Sequence, residues 1–168
     1  MVVPRFSTGE GDGAQEWGAG GMLRGNYPAR VDEKGRLKVP TEFRAYLDLT
    51  YPGGQFYITS FDGVNARVYP MAEWEKIEEK LAALPTLHPT KQKLLSRTNY
   101  FGQLVEMDGQ GRVLMPAVLR ESAQMKGGVA VLGYLKHLEV WNAERLVAEM
   151  NSNPFSDDDK QTLADLGI

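Results

Sequence analysis

Apolar positions along this chain fall into short runs typical of strands, separated by polar turn residues and by stretches with helical spacing. Residues 26–31 and 36–39 predict two strands joined by a tight turn at 32–35, which is a β-hairpin. Pro40 and Thr41 then suit the start of a short helix, with Pro40 at the first helical position and Thr41 as a cap. Two further strands are predicted at 55–60 and 66–69, so the unit is ββαββ.

The same order of elements recurs in the second half of the chain. Strands are predicted at 103–107 and 112–115 around a turn at 108–111, and a short helix starts at Pro116. Strands at 129–134 and 137–141 complete the second unit. The pattern therefore predicts an α+β, β-rich chain built from tandem ββαββ repeats.

Helical spacing marks the segments around these units. Residues 71–84 form a strongly amphipathic pattern, a second helix covers 91–97, and a closing helix covers 142–150. We expect five segments: a disordered Gly-rich extension (1–21), a first repeat (22–70), a helical connection (71–100), a second repeat (101–150) and an acidic flexible tail (151–168). Met22 is a candidate translation start, which would make the preceding tail a mis-assigned or dispensable extension.

One motif occurs twice in register. Asp-x-x-Gly-Arg followed by Pro and Arg occurs at 32–44 and again at 108–120, and its five shared positions differ by 76 residues (108 minus 32 for the aspartates). A single copy is weak evidence, because Asp and Gly are the ordinary residues of tight turns. Two copies with one offset indicate an internal repeat, which constrains the fold.

Composition narrows the class of protein. The 168 residues are 42% hydrophobic and 24% charged, and no apolar run approaches the roughly 18 residues of a membrane span. No signal peptide is visible and cysteine is absent, which excludes a disulfide framework and a thiolate nucleophile. We expect a cytoplasmic protein with no membrane partner.

The sequence contains few candidate catalytic or metal-binding motifs. Its two histidines lack metal-ligand spacing, and it contains neither a Gly-Lys-Ser/Thr phosphate loop nor a Gly-x-Ser-x-Gly motif. We therefore expect no enzyme activity, no cofactor and no metal site.

Charge is unevenly distributed, although the net charge is only -3. Residues 24–44 hold six basic and three acidic side chains, a balance of +3, whereas residues 151–168 have a balance of -3. The basic excess surrounds the first copy of the motif, which favours a nucleic-acid contact there.

The repeated turn has suitable chemistry for that contact. Asp32 and Asp108 are expected to shape the two turns, and Gly35 and Gly111 to supply positive φ. A guanidinium leaving the turn can grip a phosphate or a guanine edge, and a two-stranded β-ribbon fits the major groove. The predicted DNA contacts are Arg36, Arg112, Lys34, Lys38 and Arg24.

A plainer alternative remains open at this point. Arg36 and Arg112 can simply pair with their own aspartates, which on an exposed turn contributes only about 0–1 kcal/mol. The second copy is also less basic, because Arg112 and Arg120 are balanced by Glu106 and Asp108. For Arg44 and Arg120 we favour an internal salt bridge that braces helix to hairpin.

The chain resembles the MraZ family of bacterial transcriptional regulators from Met22 to about Met150. The resemblance rests on both Asp-x-x-Gly-Arg turns with their Pro and on a set of shorter motifs: Met22-Leu23-Arg24-Gly25, Tyr69-Pro70 to Trp74, Leu84-Pro85, Leu119-Arg120-Glu121 and Leu138-Glu139-Val140-Trp141. It implies two AbrB-like half-barrels related by a pseudo-twofold axis, interlocked as a swapped-hairpin, double-psi-related barrel. It also implies assembly of subunits into a ring.

The functional expectations come from the same resemblance. It implies a nucleoid-associated regulator, usually a repressor, that binds short direct repeats in double-stranded DNA upstream of its own cell-division and cell-wall gene cluster. The family's Asp-x-x-x-Arg motif falls on Asp32 and Arg36 and on Asp108 and Arg112, with Arg as the contact and Asp orienting the turn. The extension and Leu146, where the family often has Trp, depart from the pattern. The alternative is an antitoxin-like AbrB-type protein-interaction module whose acidic tail engages a partner.

Overall fold

The structure, a computed structural model, describes residues 21–168, so nearly all of the predicted disordered extension lies outside the described residues. Eight strands form within the described part of the chain: β1 Asn26–Val31, β2 Arg36–Lys38, β3 Gln55–Thr59, β4 Ala66–Pro70, β5 Gln103–Glu106, β6 Arg112–Leu114, β7 Gly127–Tyr134 and β8 His137–Asn142. All eight were predicted, with ends that differ by at most two residues from the expected ones.

Six helices accompany these strands between residues 21 and 168: α1 Thr41–Thr50, α2 Met71–Ala82, α3 Pro89–Tyr100, α4 Ala117–Ser122, α5 Ala143–Ser152 and α6 Asp157–Asp165. Helix α1 begins at Thr41 with Pro40 as its N-cap residue, so the expected roles of these two residues were exchanged. Helix α2 ends two residues before the predicted limit. None of the described helices is both long and apolar enough to cross a bilayer.

Helix α6 lies in the acidic tail, where no helix was predicted. Ser156 caps it: the Ser156 hydroxyl accepts a hydrogen bond from the Asp159 amide at 3.0 Å, and the Ser156 amide donates to Asp159 Oδ2 at 2.8 Å. Three aspartates in its first turn suit the positive end of the helix dipole. The flexibility expected for the tail stays a prediction.

The strands form one antiparallel sheet in the order β5-β3-β4-β8-β7-β1-β2-β6. Its two end strands, β5 and β6, are consecutive in sequence and meet at the second repeated turn, where the Asp108 amide donates to the Arg112 carbonyl at 2.9 Å. The sheet therefore curls into a nearly closed barrel, which confirms the predicted α+β barrel fold.

The two repeats exchange strands throughout this barrel. The first strand of each repeat pairs with the third strand of the other, β1 with β7 and β5 with β3. The second strands pair with each other, β2 with β6, and so do the fourth strands, β4 with β8. This pattern confirms a swapped-hairpin arrangement with a pseudo-twofold relation between the repeats.

The barrel interior is apolar and receives side chains from both repeats. Its largest fully buried side chains include Leu23, Leu37, Phe43, Leu47, Phe56, Ile58, Val113, Met115, Leu119 and Leu138. Leu37 and Val113 are the central residues of β2 and β6, so these short strands turn their middle side chain inward. Because strand side chains alternate, the flanking residues of both strands face outward.

Candidate nucleic-acid interface

The first repeated turn is built around one carboxylate. Asp32 Oδ1 accepts hydrogen bonds from the amides of Lys34 and Arg36 at 3.0 and 2.8 Å. Asp32 Oδ2 accepts from Arg36 Nε at 2.8 Å, and Gly35 adopts a φ of +85°. The aspartate therefore fixes the backbone of the turn and the direction of the arginine side chain together.

The second turn repeats this geometry closely. Asp108 Oδ1 accepts from the amides of Gln110 and Arg112 at 2.9 Å each, and Asp108 Oδ2 accepts from Arg112 Nε at 2.8 Å. Gly111 has a φ of +76°. Both turns therefore have the same hydrogen bonds from amides and arginine to the aspartate, with a glycine of positive φ at the fourth position.

The hydrogen bonds also set the ionisation of the two aspartates. The backbone amide of Arg36, assisted by its side chain, holds the pKa of Asp32 below its usual value, although desolvation acts in the opposite direction. The amide of Arg112 lowers the pKa of Asp108 in the same way. Both carboxylates are therefore charged at neutral pH and keep their arginines oriented.

Arg36 and Arg112 each form an ion pair with the aspartate of their own turn, and the contact is made through Nε only. Within the described residues, the terminal nitrogens Nη1 and Nη2 of Arg36 and Arg112 make no hydrogen bond. The end of each guanidinium thus remains available for a two-pronged contact with an acceptor pair. Pairing with Asp and binding of a ligand are compatible in this geometry.

Strands β2 and β6 bring the two turns side by side. Lys38 lies opposite Arg112 and Arg36 lies opposite Leu114 in this antiparallel pair. The Val39 amide donates to the Gly111 carbonyl and the Met115 amide to the Gly35 carbonyl, each at 2.9 Å, so each strand is tied to the other repeat's turn. We call β2 and β6 with their two turns the ribbon.

The outer face of the ribbon is polar and mostly basic. It presents Arg36, Lys38, Arg112 and Leu114, whereas Leu37 and Val113 point into the core. Leu114 occupies the position in the second repeat that Lys38 occupies in the first (114 minus 38 is 76) and is 45% exposed. The two halves of the ribbon are therefore unequal in charge, as the sequence suggested.

Helices α1 and α4 each contribute an arginine that packs against the turn of the other repeat. Arg120 of α4 packs against Gly35, where a Cβ atom would overlap its guanidinium. Arg44 of α1 packs against Gly111, and its Nη2 donates to the Gly109 carbonyl at 3.2 Å. The expected bracing exists, but each arginine packs against the hairpin of the other repeat, and Arg44 adds its hydrogen bond to the Gly109 carbonyl. The salt bridge of Arg44, to Asp48, lies within its own helix.

A groove of about 760 Å³ lies beside the first turn. Six basic residues line it: Arg30, Arg36, Lys38, Arg112, Arg120 and Lys126. Asp32 and Glu33 are the acidic residues of its lining, and the Asp32 carboxylate already accepts hydrogen bonds within the turn. The groove thus has a strongly positive character although the whole chain is acidic.

The predicted contact residues are not all placed together. Arg36, Lys38 and Arg112 lie on the ribbon and line the groove, and Lys34 is exposed at the tip of the first turn. Arg24 lies beyond the other end of β1, with its backbone against Gly133. A six-residue strand spans roughly 20 Å, so Arg24 is remote from the first turn, and its contact with DNA stays a prediction.

Sequence reasoning did not single out Arg30, Arg120 and Lys126 as members of this surface. Arg30 belongs to the basic stretch around the first motif, which was a usable signal. Lys126 comes close only because β7 pairs with β1 of the other repeat, and no local pattern reveals that pairing. Among residues 21–168, no group of three His, Cys, Asp or Glu side chains could hold a metal ion.

Comparison with known proteins identifies the family. A family model described as "MraZ protein, putative antitoxin-like" matches residues 22–97 and 102–166, so the match continues through α6. A transcriptional regulator MraZ from Koribacter versatilis (strain Ellin345) is 58% identical over 88% of this chain and all of the relative. Proteins of the same name from Acidobacterium capsulatum and Tolumonas auensis are 54% and 33% identical, over 88% and 79% of this chain and 100% and 87% of the relatives. The chain therefore belongs to the MraZ family.

Proposed function

We propose that this protein is a DNA-binding transcriptional regulator that uses the ribbon to contact double-stranded DNA. The observation that carries the proposal is the pairing of β2 with β6, which places both repeated arginines on one exposed face beside a basic groove. The relatives that are named transcriptional regulators support the same conclusion.

The geometry suits a major-groove contact. A two-stranded ribbon has the width that the major groove admits, and arginine forms two-pronged bonds with the guanine edge. The aspartates pre-orient Arg36 and Arg112, so little side-chain entropy is lost when their ends bind. The exposed Lys34 and Lys38 add attraction to phosphates without reading sequence.

The finer form of the proposal follows the family resemblance. The protein represses its own cell-division and cell-wall gene cluster in the cytoplasm at the nucleoid, and a ring of subunits binds short direct repeats upstream of the gene. Each subunit then needs only a weak, salt-sensitive contact, because linked contacts raise the overall affinity by mass action.

The direct experiment compares Arg36→Ala and Arg112→Ala with wild type in binding to the DNA upstream of the gene. Loss of an arginine that reads a base costs about 1–3 kcal/mol, so we expect the affinity to fall by roughly 5- to 140-fold for Arg36→Ala. The matched control is Arg97→Ala, an exposed arginine on α3 outside the groove. Unchanged affinity in both ribbon variants, with the oligomer intact, would overturn the proposal.

The antitoxin-like alternative has one observation in its favour, the exposed acidic helix α6 at the end of a family match described as antitoxin-like. In that alternative the acidic tail binds a protein partner. Deletion of residues 153–168 distinguishes the two functions: DNA binding that survives the deletion while partner binding is lost would support the alternative.

A further inference from the structure

The basic groove extends the DNA-facing surface to one side of the ribbon only. Arg30 and Lys126 lie in this groove outside the ribbon, on β1 and just before β7, and both side chains are exposed. We propose that Arg30 and Lys126 bind backbone phosphates of the DNA that the ribbon reads, and that they give each subunit a fixed direction on the duplex. This inference rests on the proposed function.

Both cations are free to bind an external anion. Among the described residues, neither Arg30 nor Lys126 makes a hydrogen bond or an ion pair. By contrast, Arg36 and Arg112 are engaged by aspartates and Arg120 donates to the Met115 carbonyl at 3.1 Å. Free cations next to a groove are suited to an external anion, because no internal partner must be displaced.

The guanidinium of Arg30 is accessible from outside the barrel. Its partners across the β1–β7 ladder are glycines: Gly128 lies opposite Arg30, and Gly127 lies opposite the next residue of β1. A Cβ atom at Gly128 would meet nothing within 4 Å, and one at Gly127 would meet only Arg30 Nη2, at 3.9 Å. Neither of these two residues has a side chain that could cover the exposed Arg30 guanidinium, so a phosphate can approach it over their bare backbone.

The second repeat has no basic residue at the position equivalent to Arg30. The position of the second repeat that corresponds to Arg30 holds Glu106 (106 minus 30 is 76), and Glu106 is exposed. The position that corresponds to Lys34 holds Gln110. Positive charge therefore flanks the first turn, whereas the matching flank of the second turn carries a carboxylate that repels phosphate.

Phosphate contacts fix the register and orientation of a protein on DNA but carry no sequence information directly. A contact confined to one flank makes the two ends of the ribbon inequivalent. The pseudo-twofold barrel is thereby oriented in one direction on the duplex, and reversal would bring Glu106 to the phosphates in place of Arg30.

The experiment measures binding of the full chain to the duplex upstream of the gene, and to a scrambled duplex of equal length, over a range of salt concentrations. The variants are Arg30→Ala, Lys126→Ala and the double variant. Each lost phosphate contact reduces the slope of log affinity against log salt by about 0.9 for every engaged subunit. We expect this reduction on both duplexes, with the preference for the upstream sequence unchanged.

Two controls match these variants. Lys93→Ala removes one exposed positive charge on α3, away from the groove, and Glu106→Ala removes the side chain at the position equivalent to Arg30. Neither is expected to lower the salt slope. Mass measurement checks that every variant keeps the wild-type oligomeric state.

The outcomes separate this inference from the proposed function. If wild type binds the upstream duplex and Arg36→Ala weakens binding, but the double variant keeps wild-type affinity and slope, the phosphate role of Arg30 and Lys126 is wrong while DNA binding stands. A change in sequence preference would also overturn it, because it would indicate a contact to bases. If wild type binds neither duplex, the proposed function itself fails.

Discussion

At the scale of single residues, the repeated turn combines two demands that few residue types satisfy. The aspartate must accept bonds from two amides and an arginine, and the glycine must adopt positive φ against a packed guanidinium. The motif therefore serves the fold and the candidate interface at once. Substitution of the glycine measures how much the turn contributes to the stability of the fold.

We expect Gly35→Ala to destabilise the protein by more than about 2 kcal/mol, because left-handed backbone costs roughly 1–2 kcal/mol for Ala and crowding in a packed site adds about 1–3 kcal/mol. The added Cβ would overlap Arg120 at a φ of +85°. Denaturant unfolding provides the measurement.

Two glycines serve as controls for that variant. Gly53 has a φ of +106° with nothing within 4 Å of a Cβ, so Gly53→Ala reports backbone strain alone. Gly109 lies in the second turn without positive φ and with the same open space, so Gly109→Ala should change stability by less than about 0.5 kcal/mol. If Gly35→Ala and Gly53→Ala reduced the free energy of unfolding equally, the packing of Arg120 against the first turn would contribute nothing to the cost.

At the scale of elements, the sequence predicted what local chemistry determines. All eight strands and the helices up to α5 follow from turn residues and apolar spacing, because those signals act within a few residues. Helix α6 also had a local signal, the Ser156-x-x-Asp159 capping box, which the acidic composition obscured. Pairing between repeats has no local signal, so the cross-repeat bracing by Arg44 and the position of Lys126 became visible only in the folded chain.

A single substitution on β6 would give the two strands of the ribbon the same number of basic side chains. We expect Leu114→Lys to strengthen DNA binding and to raise the salt slope by about 0.9 per engaged subunit, because it places on β6 the cation that Lys38 places on β2. The new lysine would lie opposite Arg36, just as Lys38 already lies opposite Arg112, so the cost in stability should stay within about 1 kcal/mol.

The measurement is affinity for the upstream duplex at several salt concentrations, with Leu104→Lys as the control. Leu104 is also an exposed leucine on a strand, but it belongs to β5 and is not part of the groove. If Leu114→Lys left both affinity and slope at their wild-type values, the outer face of β6 would not contact the DNA.

At the scale of the whole molecule, neither repeat is a complete folding unit. Within the first repeat, only β3 and β4 pair along their length, whereas β1 and β2 share a single pair, Val31 with Leu37. The remaining ladders of the first repeat all run to the second. Separating the repeats would therefore unpair most strand edges and open a core that both of them fill.

We expect the intact chain to unfold in one cooperative transition and the separated pieces, residues 22–84 and 85–168, to be unfolded as monomers. Circular dichroism and size measurement test this. A chain cut between α2 and α3 supplies the control: with both pieces present, the cross-repeat ladders hold the barrel together and it should stay folded. Because the repeats are pseudo-equivalent, a piece could also fold as a homodimer in which a second copy replaces the missing repeat. A homodimer of one piece would support the exchange of strands between the repeats, whereas a folded monomeric piece would contradict it.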